Sequence, residues 1–193
     1  HSLGAVPEMM IVKRRDSADN WMVYHKDIAN THFLELNETG GKSDNTIWND
    51  TTPTSSVFSV GTDASVNANT GTYMAYLFSS VAGFSKFGTY YGSGNADGIF
   101  VYTGFRPAWL MIKRVNDTGG WEIVDNKRNA YNEIDKYYYA NLNDGEYSGE
   151  ALRWDFLANG FKLRTTNAWG NESGSTYLYM AFAETSFKYA KSR

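Results

Sequence analysis

Two stretches of the chain repeat one pattern of apolar and basic residues. Residues 7–14 (PEMMIVKR) and residues 107–114 (PAWLMIKR) each hold an apolar run that ends at a Lys-Arg pair. A polar loop follows each stretch, and apolar and polar residues then alternate from Trp21 and from Trp121. An unbroken apolar run is typical of a strand buried on both faces, and alternation is typical of a half-buried strand. Each stretch therefore predicts a β-hairpin with a longish loop.

The two hairpins belong to a longer internal similarity. Their Pro, Lys, Arg and Trp residues recur at an offset of 100 residues. Residues 33–37 (FLELN) match residues 139–143 (YANLN) at an offset of 106, and residues 67–73 match residues 171–177 at an offset of 104. The offset changes only where loops are predicted, and loops tolerate insertions. The pattern predicts two copies of one unit within the chain.

The predicted boundary between the two units follows residue 83. Residues 1–83 are predicted to form the first β repeat, and residues 84–193 a linking pair of aromatic strands plus the second β repeat. The linking segment, residues 84–103, has no complete counterpart before Pro7. The first repeat is therefore expected to be truncated at its front, with further chain before His1.

Turn residues separate the predicted strands at intervals of roughly 8 to 15 residues, a spacing typical of β-sandwiches and barrels. No segment has the apolar spacing of a stable amphipathic helix. We therefore predict an all-β fold, an antiparallel β-sandwich of lectin-like or jelly-roll-like type, with either two tandem sandwiches or one interlocked sandwich. The further predicted strands are residues 32–37, 57–60, 72–78, 84–91, 99–103, 160–164 and 177–182.

Composition narrows the functional classes. The chain has 193 residues, of which 42% are hydrophobic and 20% are charged, enough to bury a substantial core. An aromatic fraction of 16% and 18 glycines favour strands and tight turns. The net charge of −3 gives no reason to expect nucleic acid as a partner. No apolar run approaches the roughly 20 residues that cross a bilayer, so membrane insertion is not expected. Without cysteine, disulfides and thiolate metal sites are excluded.

Several longer phrases of the chain resemble a known family. The phrases VYTGFRPAWLMIKR, SVNANTGTYMAYLF, YLYMAFAE and the terminal FKYAKSR are similar to the repeated β-rich domain at the C-terminal ends of large tail and tail-fibre proteins of marine bacteriophages. The resemblance implies a virion structural protein of the phage tail that is extracellular during host attachment. Its implied partners are a host cell-surface glycan or receptor, sister chains of a homotrimer, and other tail proteins. No catalytic motif comes with the resemblance.

A loop tryptophan without a counterpart in the first repeat is the main candidate for ligand binding. Trp169 lies in the polar segment 167–171, between Asn167 and Asn171. A large aromatic side chain can stack on a sugar ring while neighbouring amides bond its hydroxyls, which fits the general pattern of a binding site. Tyr137 belongs to a run of three tyrosines, of which alternation leaves at least one exposed. The alternative interpretation of Trp169 is that it covers a core edge or an oligomer interface.

Other chemistry receives less support from the sequence. Glu122, Asp125, Glu133 and Asp135 are the only dense group of carboxylates near aromatic residues, and a glycosidase needs such a pair at a defined separation. No cofactor is expected, although the turn around residues 16–20 offers oxygen ligands for Ca²⁺.

The repeated Lys-Arg pairs are interpreted as ending buried strands at a solvent edge. Three functions stay open: a non-enzymatic host-recognition module, a purely structural domain for fibre oligomerisation, and a polysaccharide-degrading tail enzyme.

Overall fold

The computed structural model describes residues 1–149 and 151–184. It divides the chain into two compact units, the first comprising His1–Ser79 and the second beginning at Ser80. Every strand pairing among the described residues is antiparallel. The protein is therefore all-β with antiparallel sheets arranged as a β-sandwich, and the predicted fold class is confirmed.

The first unit contains one five-stranded sheet. Its strands are β1 (Met9–Arg14), β2 (Trp21–His25), β3 (His32–Glu35), β4 (Ser43–Asp44) and β5 (Tyr73–Phe78). They are ordered β4-β3-β2-β1-β5. Short 3-10 helices occur at Lys26–Ile28 and Thr46–Trp48, and one helical turn, α1, spans Ala64–Asn67. Trp48 is fully buried in the core of this unit, where its ring contacts Tyr24 edge to face and its Nε1 donates to His32 O.

The second unit contains two sheets. Its strands are β6 (Ser85–Tyr91), β7 (Phe100–Tyr102), β8 (Pro107–Arg114), β9 (Trp121–Asp125), β10 (Tyr137–Tyr139), β11 (Trp154–Leu157), β12 (Gly160–Leu163) and β13 (Thr176–Ala183). The larger sheet has the order β10-β9-β8-β13-β6 and the smaller one the order β11-β12-β7. A single core joins them, with Leu110, Tyr177 and Phe161 among its buried members. One helical turn, α2, spans Ala168–Asn171.

The repeated hairpins have the same register in both units. Lys13 lies opposite Trp21 across β1 and β2, and Lys113 lies opposite Trp121 across β8 and β9. In each hairpin the lysine Nζ donates to a carbonyl oxygen of the connecting loop: the distance is 2.7 Å to Asp19 O in the first unit and 2.8 Å to Gly119 O in the second. The repeated lysine thus closes the hairpin loop.

The second Lys-Arg pair does not lie at a solvent edge, and this part of its interpretation is wrong. Lys113 is fully buried and Arg114 is 8% exposed. Their strand, β8, lies inside the sheet between β9 and β13, and β1 of the first pair likewise lies between β2 and β5. Neither strand has a free edge for its Lys-Arg pair to protect. Burial lowers the pKa of Lys113 to about 8, because the charged ammonium loses solvation.

One predicted strand needs correction, and the helical content of the two units is limited to single turns. Residues 57–60 are not a strand, whereas their counterpart, β12, is paired on both sides by β11 and β7. The described part of the first unit has no strands in the places of β7 and β11, so residues 57–60 have no neighbouring strands to pair with. The single turns α1 and α2 form where Asp63 and Asn167 cap the chain through their side-chain oxygens.

Candidate functional site

The Trp169 loop is a packed helical turn. The side chain of Asn167 accepts a hydrogen bond from Trp169 N at 2.9 Å and so forms the N-cap of α2. The indole ring of Trp169 is half-buried and meets the ring of Tyr139 edge to face. Gly120 lies beneath both rings, where a β-carbon would collide with Tyr139 and come within 3.2 Å of Trp169. Trp169 therefore retains only a partly exposed surface.

Asn171 and Tyr137 lie inside the second unit. Asn171 is fully buried, and its amide nitrogen donates to Asn95 O and Thr165 O while its oxygen accepts from Ser93 N. Tyr137 is 5% exposed and stacks on Tyr147 with ring centroids 5.5 Å apart. These two side chains serve packing and hydrogen bonding, because a ligand cannot reach them without moving the core.

The structure brings Trp169 and Tyr137 into one aromatic cluster through a residue that the sequence had not singled out. Tyr139 contacts Tyr137, Tyr147 and Trp169, with centroid separations of 5.6, 5.3 and 5.1 Å. The tyrosine run and the loop tryptophan were separate candidates in the sequence. They join because β10 places Tyr139 on the same side of the sheet as Tyr137.

A buried carboxyl group lies beside this cluster. Glu122 pairs with Tyr139 across β9 and β10 and is fully buried, and neither of its side-chain oxygens has a hydrogen-bond partner in the described part of the chain. Burial raises the pKa of Glu122 well above its ordinary value, and Lys113 opposes the shift only in part. Burial therefore favours the neutral, protonated form of this carboxyl group.

The remaining candidate carboxylates have cationic or amide partners. Asp125 binds Arg128 Nε at 2.8 Å, Glu133 binds Arg153 at 2.8 Å, and Asp135 accepts from Asn129 Nδ2 at 2.8 Å. The proposed calcium ligands are likewise occupied, because Asp16 and Asp19 both bind the guanidinium of Arg14. Across residues 1–149 and 151–184, no group of three or more His, Cys, Asp or Glu side chains could hold a metal ion.

A cavity in the second unit offers a different surface. Its volume of ≈ 610 Å³ falls within the roughly 300–1,000 Å³ that is usual for ligand pockets. It lies between the start of β6 and the segment that follows β7. Lys86, Tyr102 and Thr103 line it, together with small residues around Gly83 and Gly104. Lys86 has no ion-pair partner among the described residues, and no carboxylate lines the cavity. Its only charged side chain is thus a cation.

Two exposed aromatic rings lie on the outer face of β7, and one of them, that of Tyr102, lines this cavity. Phe100 is 44% exposed and Tyr102 is 64% exposed, whereas Val101 between them is buried in the core. Alternation along the strand puts both rings on one face, about 7 Å apart along the chain. The sequence predicted a strand at residues 99–103, but only the pairing of β7 with β12 decides which of its rings face outward.

The cavity and the Trp169 cluster lie at opposite ends of β13. Ser85, which lines the cavity, pairs with Phe182 near the end of β13, whereas α2 precedes its first residue, Thr176. At about 3.3 Å per residue, the eight residues of β13 separate the two regions by roughly 25 Å. They are therefore two independent candidate surfaces.

Two further cavities lie within single units. One of ≈ 420 Å³ in the first unit is lined by residues that include Tyr24 and Ala29. The other, of ≈ 280 Å³ in the second unit, is lined by residues that include Arg153, Arg164 and Asn167. The two arginines bind carboxylates, Arg153 that of Glu133 and Arg164 that of Asp155. Asn167 thus faces a polar hollow rather than an aromatic platform.

Comparison with known proteins identifies the family. No helix within the described ranges is long and apolar enough to cross a membrane. No curated protein and no solved structure matches the chain. A family profile matches residues 1–186, nearly the whole sequence, and the chain therefore belongs to the family described as Domain of unknown function (DUF7483).

Proposed function

We propose that the chain is a non-catalytic carbohydrate-binding module of a bacteriophage tail fibre or tail tip, which contributes to recognition of the host surface. The observation that carries the proposal is the exposed ring of Tyr102, which lines the ≈ 610 Å³ cavity of the second unit, with the exposed ring of Phe100 two residues before it on the same strand. The phage assignment itself comes from the sequence phrases that resemble tail-fibre domains. On this proposal, the module acts on the virion tail, outside the host cell.

The ring pair has the chemistry that sugar recognition needs. The C–H-rich face of a pyranose packs against an aromatic ring, and polar groups beside the ring bond its hydroxyls. Tyr102 contributes both a ring and a phenolic hydroxyl, and the Lys86 ammonium is a hydrogen-bond donor at the same cavity. Two rings on one strand face can contact successive sugar units of an extended glycan.

A rigid scaffold supports this surface. Val101 points from β7 into the core, and β7 is paired with β12 through three consecutive residue pairs. Both rings therefore start from fixed backbone positions, and less conformational freedom is lost on binding than from a mobile loop. This arrangement supports the cavity over the Trp169 loop as the principal binding surface, because Trp169 is already packed on Tyr139.

A glycan array with the purified chain, followed by titration calorimetry on the strongest ligand, tests the proposal. We expect Tyr102→Ala to weaken binding at least tenfold, which corresponds to about 1.4 kcal/mol. Tyr131→Ala is the matched control, because Tyr131 is 85% exposed but does not line the cavity. We expect this control to retain wild-type affinity.

Two results would redirect the assignment. If the chain binds no glycan on the array and does not compete with phage for adsorption to host cells, a purely structural role in the fibre is favoured. If the chain shortens a host polysaccharide during incubation, the module is an enzyme and the non-catalytic proposal fails.

A further inference from the structure

The two large sheets differ at one edge. Four strands occur in the same spatial order in both units: β3-β2-β1-β5 in the first and β10-β9-β8-β13 in the second. In the second unit β6 continues the sheet beyond β13 through seven residue pairs. In the first unit β5 pairs with β1 on one side, and no described strand pairs with its outer edge.

Equivalent residues of β5 and β13 direct their backbone amide and carbonyl groups to the same side of the strand. Arg15 N donates to Thr72 O, and Val115 N donates to Thr176 O. Thr72 and Thr176 are equivalent residues, so the same positions of β5 and β13 bond to the inner neighbouring strand. In antiparallel pairing, alternate residues bond to opposite sides. The residues of β13 that bond to β6 are Tyr177, Tyr179 and Ala181, and their counterparts in β5 are Tyr73, Ala75 and Leu77. These three residues therefore direct their amide and carbonyl groups outward.

The side chains of β5 do not protect this edge. Its sequence, YMAYLF, contains no charged residue and no proline, the devices by which exposed edges usually avoid pairing. Met74 is 42% exposed and Tyr76 is 45% exposed. A six-residue apolar strand with outward hydrogen-bonding groups is suited to strand addition.

A side-chain arrangement that the two units share indicates which side chain the added strand must present. The Tyr73 hydroxyl donates to Ala64 O and accepts from Ala68 N, and the Tyr177 hydroxyl donates to Ala168 O and accepts from Glu172 N. Both rings are thus held against a helical turn. Tyr177 is fully buried, and Tyr90 of β6 stacks on it with centroids 5.0 Å apart, whereas Tyr73 is only half-buried.

We infer that the outer edge of β5 binds an extended segment of another protein chain, with an aromatic side chain opposite Tyr73. The segment runs antiparallel to β5, as β6 runs to β13, and bonds to the backbone of Tyr73, Ala75 and Leu77. Its template is β6 itself, which places Tyr90 opposite Tyr177. The inference does not depend on carbohydrate binding, because it concerns the first unit and uses a different surface.

Binding of a labelled synthetic peptide with the sequence of residues 84–92 to the full chain tests the inference by fluorescence anisotropy. We expect saturable binding that Ala75→Pro weakens at least tenfold, since proline removes an outward amide donor. Ala75→Ser is the matched control, because serine has a similar size and keeps the amide. A peptide in which Ala replaces the residue equivalent to Tyr90 should bind more weakly.

A second measurement keeps the test valid if Ala75→Pro does not fold. A peptide N-methylated at the position of Gly88 loses a backbone donor without any change in the protein, and we expect it not to bind. The absence of saturable binding, or binding that neither backbone change affects, would overturn the inference.

Two further outcomes would assign the edge to a different occupant and also overturn it. One is a concentration-dependent dimer that disappears in Ala75→Pro while the peptide does not bind. The other is peptide binding only after the chain is ended at Glu184, which would assign the edge to the chain's own last residues.

Discussion

The ring of Trp169 meets the ring of Tyr139 edge to face, with centroids 5.1 Å apart and planes inclined at 74°. The contact joins α2, which holds Trp169, to β10, which holds Tyr139. Gly120 leaves room for both rings, because any side chain there would collide with Tyr139. Trp169 therefore contributes to the packing of the second unit, whatever its exposed part contacts.

Replacement of Trp169 should reduce stability. A large aromatic that loses its packing in a core costs about 3–5 kcal/mol, and a half-buried one about half of that. We expect Trp169→Ala to lower the free energy of unfolding by about 2 kcal/mol in urea titration, and Trp169→Phe to lower it less. Unchanged unfolding together with a loss of glycan binding would instead make Trp169 a ligand contact.

Tyr73 and Tyr177, which bond to the helical turns α1 and α2, can be replaced in a matched pair of variants. The hydroxyls of Tyr73 and Tyr177 each make two hydrogen bonds to backbone groups. Loss of a hydroxyl that satisfies buried groups costs about 1–3 kcal/mol. We expect Tyr177→Phe to lower the thermal midpoint more than Tyr73→Phe, because Tyr177 is fully buried and water cannot replace its hydroxyl. Equal shifts in calorimetry would contradict this difference.

The buried carboxyl group of Glu122 should make stability decline as pH rises. Its pKa in the folded chain is raised, so the fold retains a proton that the unfolded chain releases above its ordinary pKa of 4.5. The contribution to stability is complete below pH 4.5 and is lost progressively above it. We expect Glu122→Gln to remove this part of the slope in urea titrations from pH 5 to pH 9. Parallel curves for the variant and the wild type would show that Glu122 does not titrate in this way.

His25 should act in the opposite direction at lower pH. Burial lowers its pKa to about 4, so the fold keeps the imidazole neutral while the unfolded chain binds a proton below pH 6.5. The contribution is present above pH 6.5 and is lost as pH falls towards 4. Because one pKa unit corresponds to 1.36 kcal/mol, the loss at pH 4 should be about 3 kcal/mol. We expect His25→Gln to abolish the loss, and an unchanged acid slope in that variant would contradict the assignment.

Much of the fold could be predicted because the local order of apolar and polar residues is enough to indicate the two hairpins. The apolar runs before Lys13 and Lys113 predicted β1 and β8, and Trp21 and Trp121 begin the strands that pair with them. Residues 57–60 were harder, since their apolar pattern is strand-like but a strand also needs neighbours. Pairing partners are a property of the tertiary structure and cannot be read from one segment.

The candidate site could be predicted less well, because exposure depends on what packs above each side chain. Asn171 looked accessible in a polar loop, yet it is fully buried and bonds three backbone groups. Its position four residues after the cap Asn167 was a usable signal, since one helical turn brings those positions together. The burial of Lys113 could not be predicted from the local sequence, in which only the apolar residues before it pointed to the core.

The most direct test of the carbohydrate-binding proposal is to locate the bound glycan on the protein. NMR titration of the labelled chain with the strongest ligand from the array reports which rings and amides change. We predict saturable shifts at Phe100, Tyr102 and Lys86, and their loss in Tyr102→Ala. Shifts confined to the Trp169 loop, or no saturable shifts with any glycan, would contradict the account.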